Sequence, residues 1–123
     1  MAVAVGRGVK TFIVTFSQTV TTTKPIWSDK YTPTEDLVLY KVVIRDAAGG
    51  TLNKSTITLN IGKAVLGNAV DVNIYGSSPF YALELNEPAP SNVDITWTFT
   101  NNEGADKTVM MSFIFKRAKE API

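Results

Sequence analysis

The chain has 123 residues and a formal charge of +1, from 12 basic and 11 acidic side chains. That length supports one domain with a core of its own, and near-neutral, scattered charge argues against a nucleic-acid binder. Cys and His are both missing, which removes disulfides, thiolate metal sites, the commonest general base and the commonest transition-metal ligand.

In chain order, Met1 to Gly8 is weakly apolar, too short for a signal-peptide core and interrupted by Arg7. No run approaches the roughly twenty apolar residues that cross a bilayer. The expectation is a soluble chain without an export signal or a membrane span, so reaching the outside would need another route, such as release inside a particle. Residues 1–10 read as a flexible arm able to reach an adjacent subunit, 11–117 as a single sandwich domain and 118–123 as a tail.

From residue 11, Phe12, Val14 and Phe16 alternate with Thr11, Ile13 and Thr15, the period-two signature of a strand. A Thr-rich stretch then leads to Lys24-Pro25, where a strand must stop or lie on a sheet edge. Residues 26–35, with Asp29 and Pro33, read as an ordered loop. Residues 37–45 are apolar on both faces, as expected of a strand covered on two sides. Asp46 to Gly50 is a strong turn.

Ile57, Leu59 and Ile61 mark the next strand. Residues 62–68 read as a connection, with a single candidate helical turn at 63–66. Val70, Val72 and Ile74 alternate with Asp71, Asn73 and Tyr75. Tyr81, Leu83 and Leu85 read as a short strand between the turns at 76–79 and 87–90.

Two clear runs close the chain. Val93, Ile95, Trp97 and Phe99 oppose Asp94, Thr96, Thr98 and Thr100; Val109, Met111, Phe113 and Phe115 oppose Met110, Ser112, Ile114 and Lys116. With turn-forming residues from Asn101 to Lys107 between them, they read as a hairpin with a long loop. About eight short strands separated by turns predict an all-β antiparallel sandwich, with a single jelly roll preferred over an immunoglobulin-like order.

The candidate sites are few. Trp97 belongs to a core face, whereas Trp27 and Tyr31 sit where an exposed platform for sugar stacking could form or where an aromatic could pin its loop. Tyr75, Phe80 and Tyr81 flank the Gly76 to Pro79 turn and could form an aromatic rim or close one end of the barrel. Together Trp27, Tyr31, Tyr75 and Tyr81 define the alternative reading, a glycan-binding or host-attachment module.

Asn101 to Asp106 is rich in oxygen ligands but lacks the spacing of a calcium loop, and Lys107 supplies a competing cation. Asp29, Glu35 and Asp36 form a similar acidic group. Asp71, Glu84 and Asp94 are the only carboxylates considered for acid–base chemistry, and a solvated sheet face explains them better. Neither Gly62-Lys63 nor Gly6-Arg7-Gly8 completes a phosphate or dinucleotide motif. The basic tail from Lys116 to Lys119 reads as a solubilising terminus. No catalytic, cofactor or metal residue is assigned.

Two observations suggest an assembly role. Leu39 and Val43 oppose Val38, Val42 and Ile44, while Met110 and Ile114 oppose the apolar row of their own strand. A sandwich covers only one face of each sheet, so Leu39, Val43, Met110 and Ile114 are candidate subunit-interface residues of a homo-oligomer. The stretch Val72-Asn73-Ile74-Tyr75-Gly76-Ser77-Ser78-Pro79-Phe80-Tyr81-Ala82-Leu83, with the closing strands, resembles small single jelly-roll virion proteins of bacterial and archaeal viruses. These are pentons, minor capsid subunits and decoration proteins. The resemblance covers roughly the C-terminal half and implies a non-enzymatic structural subunit. Such a subunit would be made in the host cytoplasm, placed in the virion and partnered by its own copies or by a major capsid protein.

Overall fold

Among the described residues the chain forms eight strands: β1 (Thr11–Val20), β2 (Ile26–Tyr31), β3 (Leu37–Asp46), β4 (Thr56–Ile61), β5 (Ala64–Asp71), β6 (Glu87–Ala89), β7 (Ile95–Thr100) and β8 (Lys107–Arg117). They are seen in a computed structural model that describes residues 11–117, so the expected arm and tail lie outside the described residues. The strands build two four-stranded antiparallel sheets, ordered β1-β8-β3-β6 and β2-β7-β4-β5. The chain is an all-β sandwich, as the periodicity predicts.

Among the pairings, β1 joins β8, β2 joins β7, β3 joins β6 and β4 joins β5. The chain therefore runs as one antiparallel ribbon folded back between β4 and β5, with successive rungs falling alternately in the two sheets. An immunoglobulin-like order keeps its first two strands in one sheet; here β1 and β2 lie in different sheets.

The core lies between the sheets. Leu39, Val42, Ile44, Met111, Phe113 and Phe115 come from one sheet and Trp27, Ile57, Leu59, Ile95, Trp97 and Phe99 from the other. Trp97 is the hub: its ring lies 5.0 Å from Phe16, 5.3 Å from Phe113 and 5.6 Å from Trp27, the last edge-on. Burying each such side chain contributes about 1.5–3 kcal/mol. The Trp97 indole N–H is buried without a protein hydrogen-bond partner, so the side chain is held by packing while its backbone pairs with Asp29 and Leu59.

Several local expectations are corrected. Residues 26–31 form β2, because pairing Trp27 opposite Phe99 and burying the indole outweigh the nearby breakers. The expected connection and helical turn at 62–68 are instead β5, since Gly62, at φ +57°, lets Gly62 and Lys63 alone reverse the chain. The strand expected through Val72 and Ile74 ends at Asp71, which caps a 3-10 turn by accepting from the Asn73 amide at 2.9 Å. Residues 81–85 are not a strand; the short β6 falls at Glu87–Ala89, inside the predicted turn.

The largest correction concerns the closing pair. β7 and β8 are not a hairpin: they lie in opposite sheets, and residues 101–106 cross between them. Asn101 anchors that crossing, its buried amide donating to the Val20 and Ala105 carbonyls at 2.8 and 2.9 Å.

Candidate functional site

The outer face of the β1-β8-β3-β6 sheet carries apolar side chains from three strands. Ile114 on β8 stands between Ile13 on β1 and Lys41 on β3, while the next row runs Thr15, Ser112, Val43 and the next Ser17, Met110, Arg45. Ile13 is 59% exposed. Val43 and Ile114 are buried, and with Ala82 they form a small cluster separate from the main core, against which Tyr40 packs. Arg45 Nη2 lies 3.3 Å from the Met110 sulfur.

A register shift between Leu39 and Lys41 decides which β3 residues reach this face. The extra residue, Tyr40, reverses the in–out parity. Leu37 and Leu39 point into the core before the shift, and Val42 and Ile44 after it. Leu39, expected at an interface, is therefore fully buried between the sheets. Val43 does reach the outer face with Met110 and Ile114, as the alternation suggests. Part of its cover, however, comes from this chain and not from a neighbour.

That cover is the segment 75–85. It lies along the edge of β3, with the Ile44 amide donating to Gly76 O at 3.0 Å and the Leu85 amide to Tyr40 O at 2.7 Å. Lys41 Nζ donates to Pro79 O at 2.8 Å. Its neck is closed by Leu83 N donating to Tyr75 O at 3.1 Å, and by Gly76 pressed against Ala82. Gly76 has φ +105°, and a Cβ there would lie 2.7 Å from the Ala82 Cα, so only glycine fits. At the tip, Phe80 and Tyr81 are each 87% exposed.

Tyr40, at the bulge, lies under two cations, with Lys116 Nζ 3.8 Å and Lys41 Nζ 5.0 Å from its ring centroid. Its phenol pKa is raised, first by loss of solvent and then by the hydrogen bond and charge of Glu84. Glu84 is thus a partner of Tyr40. Asp71 caps its 3-10 turn, and Asp94 accepts from the Thr32 hydroxyl at 2.6 Å with Lys30 at 3.6 Å. Each carboxylate considered for chemistry is engaged by its own neighbours.

The oxygen-rich loop is spent in the same way. Glu103 accepts from the amides of Asn53 and Lys54 and from Ser55 Oγ at 3.0, 2.8 and 2.7 Å. Burial opposes its ionisation, yet these donors leave its pKa lowered. Asp106 accepts from the Thr22 amide and Asp36 from the Ser91 amide, while Glu35 pairs with Arg117. Among the described residues no group of three or more acidic side chains is placed to hold a metal.

The four aromatic residues of the glycan reading are not brought together. Trp27 is 7% exposed and packed edge-on against Trp97. Tyr31 leans on Phe16 and Phe115. Tyr75 is 1% exposed, its ring lies over Gly67 and its hydroxyl donates to Leu66 O at 3.2 Å. Tyr81 alone is open to solvent. A recess of about 360 Å³ does lie between the end of β1 and β2, walled by Gln18, Thr21, Lys24, Ser28 and Asp29 with Trp27 behind them.

Sequence reasoning placed Phe80 at a rim but missed Tyr40 and Ala82, whose roles come from the bulge and the loop's path. No protein-family model and no curated protein matches the chain. Among the described residues no helix is long and apolar enough to cross a membrane.

Proposed function

We propose that this chain is a non-enzymatic assembly subunit, of the capsid-associated penton, minor capsid or decoration type. The observation that carries this reading is the pair Phe80 and Tyr81, each 87% exposed on a loop tied to β3 by backbone hydrogen bonds. Large aromatics held open on an ordered support are favoured anchors of protein–protein interfaces. Ile74 and Leu83, also exposed, extend the apolar character of this segment.

Two further features support the reading. The rungs β1·β8, β2·β7, β3·β6 and β4·β5, rolled into two sheets, give the order we infer to be a single jelly roll, the fold of the virion proteins that the C-terminal half resembles. Asp71, Glu84 and Asp94 are occupied in structural hydrogen bonds, which leaves them little freedom for acid–base work. On this reading the partners are further copies or a capsid shell protein, and the site of action is the virion.

Light scattering of the full chain across a dilution series tests the proposal. The expected mass is a multiple of 13.4 kDa, reduced when Phe80→Ser and Tyr81→Ser are combined if self-contacts use the tip. A strict monomer at every concentration that also fails to bind a capsid shell protein would overturn it.

A further inference from the structure

The sandwich has four sheet edges, and three are protected. β6 is three residues long with Pro88 at its centre, and beyond it the segment 75–85 occupies the side of β3. β5 is broken by two register shifts against β4 and by Ala69 at φ +52°. β2 has six residues and carries Lys30 and Asp29, with Asp29 on the same side of the strand as the inward-facing Trp27. Short strands, proline, bulges and inward-side charges are the usual means of keeping edges from pairing.

β1 has none of them. It pairs with β8 in unbroken register for all ten residues, from Thr11 to Val20. It contains no charge, proline or glycine, and is made largely of Thr, Val, Ile and Phe, which favour strands. Its other side has no backbone partner among the described residues.

We infer that β1 is a self-association edge, pairing antiparallel with β1 of a second copy about a two-fold axis perpendicular to the sheet. This rests on the assembly reading and deepens it, by naming the surface and the partner. The occupant follows from the strand itself. A hydroxyl- and β-branched-rich strand without charge complements another strand of the same kind, and a two-fold contact uses one patch twice.

The geometry limits the register. Opposed residues must share a face, so the axis passes through a residue and not between two. Centring near the middle of β1 selects Thr15 or Phe16. The first sets Thr15 against its own copy and Ile13 against Ser17; the second sets Thr15 against Ser17. Either makes one eight-stranded sheet across two copies, from the four strands in each, and carries the apolar outer face across the junction through Ile13.

Thr15 and Ser17 are exposed on the outer face, so charge can be placed there without entering the core. Two variants test the inference, T15E combined with S17E, and T15K combined with S17K. In both registers each brings like charges together in a homodimer and opposite charges together in a mixed pair. The expected result is a self-associating parent chain and a rise on the order of tenfold or more in the half-dissociation concentration of each variant. An equimolar mixture recovers the parent mass by light scattering, and recovery itself shows that the variants are folded. Undiminished association of the variants overturns the edge assignment while leaving the assembly reading in place. So does dissociation without recovery on mixing. A parent chain that is monomeric alone also overturns the edge pairing, and the assembly reading then stands or falls on binding to a shell protein.

Discussion

The two outer faces of this sandwich differ although both sheets have four antiparallel strands. On the β2-β7-β4-β5 sheet the outer rows run Ile26, Thr100, Thr56; Ser28, Thr98, Thr58; and Lys30, Thr96, Asn60. Their hydroxyls bond across strands, as between Ser28 and Thr98 at 3.1 Å, and the Thr58 hydroxyl accepts from the Ala69 amide at 2.9 Å. This is mostly a solvated face. On the opposite sheet Ile13, Ile114, Val43 and Met110 occupy the corresponding outward positions, and part of the area lies beneath Ala82. Outward apolar residues thus have two destinations, the chain's own loop and the surface that the loop leaves open.

The largest expected effect tests what both faces share. Trp97→Ala should destabilise the protein by about 3–5 kcal/mol, because it empties the hub on which both sheets pack. Urea titration followed by fluorescence and circular dichroism should then show a single transition moved to lower denaturant. Separate transitions for the two sheets would break the picture of one shared core.

A smaller change should act on one face only. Gly76→Ala forces a side chain onto the Ala82 backbone at positive φ and should cost about 1–3 kcal/mol. Its particular sign would be faster amide exchange at Leu83 and Leu85, with Thr58 and Ala69 unchanged. Equal loosening of both sheets would show that the loop is not a local cover.

The smallest effects compare the faces directly. Ile114→Thr removes apolar volume from the loop-covered cluster and should cost about 1–2 kcal/mol. Thr98→Val on the solvated face should stay within about 0.5 kcal/mol of the parent. Similar costs at the two sites, read by thermal melts, would erase the distinction.

Much of the fold was legible in the residues. The alternation in Val93 to Phe99 and in Val109 to Phe115 marks β7 and β8 and their buried rows, and the same period marks β1, β3 and β4. Partnership was not legible. Adjacent alternating strands with a turn-rich connection read as a hairpin whether they pair or face each other across a core, because both arrangements bury the same side. β2 and β6 were missed for a related reason: their proline and charged residues suit edge strands, and only pairing with β7 and β3 makes them strands.

The candidate surface was half legible. Val43, Met110 and Ile114 could be read as outward and apolar. Leu39 could not be placed, since one extra residue at Tyr40 reverses every side chain after it. Phe80 and Tyr81 are consecutive aromatic residues after the Gly76-Ser77-Ser78-Pro79 turn, and nothing local says whether such a pair is packed or open.

What the sequence determined by itself is the class of structure: β-branched residues and a period of two leave the chain little choice but strands with one buried face. What the tertiary structure decided is which face met which. It set β7 against β8 across the core, turned Leu39 inward, laid residues 75–85 over Val43 and Ile114, and left the outer edge of β1 without a strand partner among the described residues. Those outcomes depend on register and on contacts between residues far apart in the chain, which local side-chain pattern constrains only to within a face.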